Sequence, residues 1–160
     1  MEMQFDYEVY AYIAIGLGMV ISLFLTETLG VMAGGIIVPG YVALSLHNPS
    51  KVLITFAISI ITYLIVFILS KFILIYGRRR LILCLLLGFF LGHVFREIKE
   101  FTISGIEIDY IGYIIPGLIA SWMDRQGIIR TSSVILMVAS IVNLFLMLVY
   151  YFSTINLPNV

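Results

Sequence analysis

Charged side chains between Val9 and Phe152 are so thinly spread that they leave six long charge-free runs, at 9–26, 28–50, 52–70, 81–95, 110–123 and 131–152. About 20 apolar residues rising 1.5 Å each match a hydrocarbon core about 30 Å thick, so the first three runs and the last predict membrane-crossing helices. Runs 81–95 and 110–123 are short. Fifteen residues reach about 22 Å, so run 81–95 is expected to take its ends from snorkelling arginines or to lie in thinned bilayer. With 62% apolar and 11% charged residues, against about 25% charged in a soluble domain, a water-soluble globule is excluded. The expected class is an all-α polytopic membrane protein forming a single integral membrane domain over 1–160.

Nine basic and nine acidic residues give zero net charge, which argues against a nucleic-acid partner and against an acidic tail. Cys84 is the single cysteine, so the chain can form no internal disulfide and offers no thiolate metal cluster. No H-E-x-x-H, P-loop or G-x-S-x-G string occurs. No metal site, cofactor or self-sufficient catalytic centre is therefore expected. Glu2, Asp6 and Glu8 flank the first run where a cleavable signal would carry lysine or arginine.

Two segments resemble each other. Residues 35–43 (GIIVPGYVA) and 112–120 (GYIIPGLIA) align without a gap at an offset of 77, keeping glycine four before the proline, Pro-Gly itself, and alanine four after. The same shift lays the third run over the sixth and, with a few residues of slippage, the first over the fourth. The chain thus reads as two three-segment halves, about 9–75 and 81–152, each with a middle helix broken at Pro-Gly. Proline removes a donor and blocks the bond to the carbonyl four residues back, so the carbonyls of Gly35 and Gly112 are expected to need partners in the protein interior or along a polar cavity. Gly35, Pro39, Gly40, Gly112, Pro116 and Gly117 are candidate walls of an anion path, with two half-helix N-termini facing each other. The plainer alternative is a pair of packing kinks.

Positive charge sets the orientation. If all six segments cross with the N-terminus outside, the cytoplasmic side holds Lys71, Arg78, Arg79, Arg80, Arg125 and Arg130 against Lys51, Arg96 and Lys99 outside. Re-entrant middle segments would move Arg125 and Arg130 out and lose that bias. Six crossings in inverted repeats, both termini outside, are therefore favoured. Arg78, Arg79 and Arg80 serve as a topology signal and headgroup contact, and as a dock for an acidic partner or a polyanion. Asp124, Arg125 and Gln126, before Gly127, are a candidate partner contact or a simple helix-ending turn. Glu27 is a candidate cation or proton site, or a carboxylate at the headgroups. Gly88 and Gly92 form a G-x-x-x-G face suited to close packing, within the chain or between copies. Asn143 is expected to bond across helices, and Tyr7, Tyr10, Tyr12, Tyr150 and Tyr151 to form an interfacial belt.

The strings at 26–30 (TETLG), 38–41 (VPGY), 75–79 (IYGRR), 115–120 (IPGLIA) and 125–127 (RQG), in this order and spacing, resemble the CapC/PgsC family, the small membrane subunit of bacterial poly-γ-glutamate synthase. The resemblance runs from about residue 10 to about residue 150. It implies a non-catalytic subunit, in the cytoplasmic membrane, of an ATP-dependent glutamate–glutamate amide ligase complex. The implied partners are a Mur-ligase-like CapB/PgsB subunit holding ATP and Mg²⁺, a CapA/PgsA subunit tied to export, and a small CapE/PgsE-type subunit. The polymer itself, lipid and further copies of the chain complete the set. Alternatives are a stand-alone secondary transporter of a small organic anion and a structural anchor for a cytosolic enzyme. Cysteines placed at residues 3 and 127 of a Cys84-free chain test the orientation. Residue 3 is expected to label from outside and residue 127 from the cytoplasm, and external labelling of residue 127 would sink the inverted arrangement.

Overall fold

A computed structural model describes residues 2–72, 77–102 and 111–156. Six helices occur among them: α1 (Glu2–Leu29), α2 (Val38–Ser45), α3 (Pro49–Phe72), α4 (Arg78–Thr102), α5 (Ile115–Gln126) and α6 (Ile128–Asn156). Three stretches are long and apolar enough to cross a bilayer: Ala11–Thr28 in α1, Pro49–Phe72 as α3, and Ile128–Val149 in α6.

Run 28–50 departs from its expectation of one broken spanning helix. α1 closes at Leu29 with the Gly30 N–H on the Thr26 carbonyl at 3.0 Å, Gly30 turning left-handed at φ +62° as a helix-ending glycine does. Gly34 and Gly35 also have positive φ, at +69° and +118°, and residues 31–37 are non-helical. Helix resumes at Val38 with Pro39 in the first turn, where the missing N–H costs no ladder bond. α5 begins the same way at Pro116, after Gly112 at φ +54°. Each Pro-Gly therefore starts a short helix instead of breaking a long one. The carbonyls of Gly35 and Gly112 lie before the ladder, and the bond that proline would have blocked does not arise. Run 81–95 is completed as expected, inside a helix of 25 residues about 37 Å long, with Arg78, Arg79 and Arg80 at one end and Arg96 near the other.

The short helices form the centre and the long ones wrap them. α2 packs on α1 and α6, while α5 packs on α3, α4 and α6. Val38, Val42, Ala43, Ile119 and Ala120 are fully buried, together with Ile135, Val138, Ala139 and Val142 of α6. Outward faces are apolar instead of charged: Phe24, Leu53, Leu86 and Leu144 are 65–70% exposed, which suits lipid and not water.

Glycine makes the two tightest crossings. Gly40 sits so close to α1 that an added methyl would lie 2.7 Å from the Ile15 Cα and 3.0 Å from the Ala14 oxygen, while one on Gly18 would lie 2.7 Å from the Gly40 nitrogen. Gly117 meets α4 in the same manner. A methyl there would lie 2.7 Å from the Leu85 Cα and the Cys84 oxygen, and one on Gly88 would lie 2.6 Å from the Gly117 Cα. Contacts at i, i+1 and i+4 recur in both crossings. Gly88 thus uses the expected small-residue face within the chain. Replacing Gly40 or Gly117 by alanine is expected to destabilise by about 1–3 kcal/mol, because the obstacle is backbone. Gly16→Ala, with nothing within 4 Å, serves as the control in detergent thermal unfolding; equal melting temperatures for all three variants would refute these crossings.

Candidate functional site

Polar contacts fix which helix ends lie together. The Gln126 amide, closing α5, pairs with both backbone groups of Met32 beyond the end of α1: the Met32 N–H donates to Oε1 at 3.3 Å, and Nε2 donates to the Met32 carbonyl. Arg80, in the first turn of α4, donates from Nη2 to Asp124 Oδ1 at 2.5 Å. The ends of α1 and α5 and the starts of α4 and α6 therefore share one end of the bundle, where Arg78, Arg79, Arg125 and Arg130 are exposed. Glu27 is exposed there too, on the last turn of α1. Chain direction then carries the start of α1 and the end of α6 to the opposite end.

At this basic end a cleft of ≈ 320 Å³ is lined by Gly77, Arg80, Leu81, Ser121, Asp124 and Arg125. The Arg80 and Asp124 side chains are 27% and 12% exposed, so their pairing is partly shielded from water, and removing either partner would leave a partly buried charge uncompensated. Arg80 Nε is buried without a partner. The Arg125 guanidinium lies 5.0 Å over the Trp122 ring, a stacking that limits its rotamers. Lys71 lies similarly over Phe67, at 5.1 Å.

The sequence-named residues thus fall into separate places. Arg80, Asp124 and Arg125 are brought together, with Arg78 and Arg79 on the adjoining rim. The amide of Gln126 is taken up inside the chain by Met32. Gly35 lies near the basic end, its added methyl 3.6 Å from Trp122 Nε1, with Pro39 and Gly40 at the start of α2. The starts of α2 and α5 do not face each other. α2 runs away from the basic end, α5 runs toward it, and Gly112, Pro116 and Gly117 lie deeper on the α4 and α3 side. The Ile111 N–H, just before α5, reaches the Thr55 hydroxyl at 2.9 Å, six residues from the start of α3.

That hydroxyl belongs to a feature sequence reasoning missed. Thr55, Ser59 and Thr62 stand at i, i+4 and i+7 on α3 and are fully buried. Thr55, Ser59 and Thr62 each donate back to the carbonyl four residues earlier, at 2.7, 2.6 and 2.7 Å. Their helical spacing was the available signal. Asn143 behaves as expected, with Nδ2 donating to the Ala43 carbonyl at 3.1 Å. Tyr12 and Tyr151 are exposed, whereas the side chains of Tyr7, Tyr10 and Tyr150 lie outside the described residues. Among the described residues no three His, Cys, Asp or Glu side chains gather to hold a metal.

Gln126→Ala leaves the Met32 N–H and carbonyl without their partner and is expected to cost about 1–3 kcal/mol. Arg125→Ala, at an exposed stack, is expected to stay within about 1 kcal/mol of the parent. Thermal unfolding in detergent compares them, and a Gln126 variant as stable as the Arg125 variant would show the amide clamp to be dispensable.

The sequence profile of the family described as "Capsule biosynthesis CapC" matches residues 17–132. A Bacillus anthracis protein named "Capsule biosynthesis protein CapC" is 41% identical over 121 residues, covering 73% of this chain and 80% of that protein. A Bacillus subtilis protein named "PGA biosynthesis protein CapC" is 38% identical over 144 residues, covering 88% of this chain and 95% of its own length. No solved structure matches the chain. A profile match across most of the chain, with two relatives near 40% identity, places it in the capsule biosynthesis CapC family.

Proposed function

We propose that this chain is the multi-pass membrane subunit of a capsule poly-γ-glutamate synthase. It supports ATP-dependent chain extension by a Mur-ligase-like CapB/PgsB partner and the passage of the polymer across the cytoplasmic membrane. The observation that carries this is the family match, joined to a basic bundle end with a cleft. Poly-γ-glutamate carries one carboxylate per residue, so a surface presenting Arg78, Arg79, Arg125 and Arg130 at one end favours it electrostatically. In this reading ATP and Mg²⁺ belong to the ligase, which docks on the basic end, and a CapA/PgsA-type subunit and a small CapE/PgsE-type subunit complete the assembly.

Six segments cross in two inverted halves. The support is the equivalent glycine crossings, α2 on α1 and α5 on α4, and the opposed directions of α2 and α5. The polymer's path opens near Arg125, Trp122 and Gly35 and continues past the starts of the two short helices. Full-length complex with Arg78, Arg79, Arg80 and Arg125 all changed to alanine is expected to retain about a tenth or less of the ligase and of polymer formation. Glutamate-dependent ATP hydrolysis and polymer yield, measured with and without the subunit, check the role; normal values in its absence would refute it.

A further inference from the structure

The cleft at the basic end holds unspent recognition chemistry. Of its three charged groups, Asp124 and Arg80 neutralise each other, and Arg125 meets no carboxylate among the described residues, its recorded contact being the Trp122 ring. One positive charge is therefore left over beside ≈ 320 Å³ of space, at the small end of ligand sites, which span about 300–1,000 Å³. Ser121 adds a hydroxyl. Its residue is 4% exposed, yet its oxygen makes no hydrogen bond among the described residues, whereas Thr55, Ser59, Thr62 and Thr131 each bond the carbonyl four residues back. A hydroxyl that opens on a cleft and has no protein partner is free to donate to a ligand there. Arg80 Nε, by contrast, is enclosed by the chain and has no partner among the described residues. Arg80 fixes one Asp124 oxygen, and the other remains an acceptor for an N–H brought by a ligand. Leu81 supplies an apolar wall, and Gly77 presents no side chain.

We propose that this cleft binds a single glutamyl unit, and the choice of glutamyl rests on the function proposed above. Arg125 pairs with the α-carboxylate, Ser121 donates a second hydrogen bond to it, and the Asp124 carboxylate accepts from the neighbouring N–H. That N–H is an amide in a γ-linked chain and an ammonium in free glutamate. Arg80 is a positioning residue that holds Asp124 in place. A plain anion lacks the N–H and loses the Asp124 contact.

Trp122 is the sole tryptophan and lies under Arg125, so its fluorescence reports on the site directly. The full chain in nanodiscs of zwitterionic lipid is titrated with γ-linked triglutamate, free glutamate and sulfate at constant ionic strength, with calorimetry alongside. Saturable binding of either glutamyl ligand supports the site, and the tighter of the two identifies whether chain or monomer occupies it. Arg125→Gln is expected to weaken that binding about tenfold or more, and Ser121→Ala about threefold or more. No saturable binding, sulfate binding as tightly as the glutamyl ligands, or both variants binding like the parent overturns the proposal. Polymer formation by the whole complex separates this from the subunit's role. Synthesis that needs the subunit but is unchanged in both variants removes the site alone, and glutamyl binding by a subunit that synthesis does not need removes the role alone.

Discussion

Two places where backbone touches backbone govern this architecture. Gly40 against Ala14, Ile15 and Gly18, and Gly117 against Cys84, Leu85 and Gly88, allow a short helix to approach a long one more closely than any side chain permits. Without hydrophobic driving force between apolar helices in lipid, packing of this kind supplies much of the association. Close approach at these crossings seats α2 and α5 in the interior, where α6 covers both. Proline next to each glycine fixes where the short helix begins, so Pro-Gly sets both the start and the depth of the element.

Once the short helices are inside, their polar loose ends must be met by protein, because the surroundings offer no water. Met32 is met by Gln126, Ile111 by Thr55 and Ala43 by Asn143. Each tie joins one half of the chain to the other. Arg80 and Asp124 act differently. They tie α4 to α5 at the basic end and consume one of each sign, leaving the surplus positive charge on exposed arginines. Paired and exposed charge are thus separated within a few residues: Arg80 is spent on the fold, and Arg78, Arg79 and Arg125 face outward.

Much of this was legible in the residues. The spacing around Pro39 and Pro116 marked the two unusual elements, the lone Asn143 in an apolar helix announced a cross-helix bond, and the sparse charges named the basic end. The role of the prolines was less legible, because Pro-Gly looks the same whether it interrupts a helix or starts one. The deciding information lies in the positive φ of Gly34, Gly35 and Gly112, set by tertiary context. Gln126 was singled out for its polarity, but its partner is the backbone of an apolar residue, which no side-chain pattern encodes. Thr55, Ser59 and Thr62 passed unremarked because hydroxyls satisfied within their own helix disturb hydropathy very little.

The ties between halves also impose an order in time. Ala43 and Asn143 are 100 residues apart and Met32 and Gln126 are 94 apart, so a ribosome delivers α2 well before the groups that complete it exist. During that interval the first half is an unfinished core, with α2 held by α1 and more lightly by α3, and with its loop unpaired. The groups that complete this intermediate arrive only with α5 and α6. Truncation anywhere before Asn143 would leave behind a membrane fragment with exposed backbone, a substrate for quality-control proteolysis and not a smaller version of the protein.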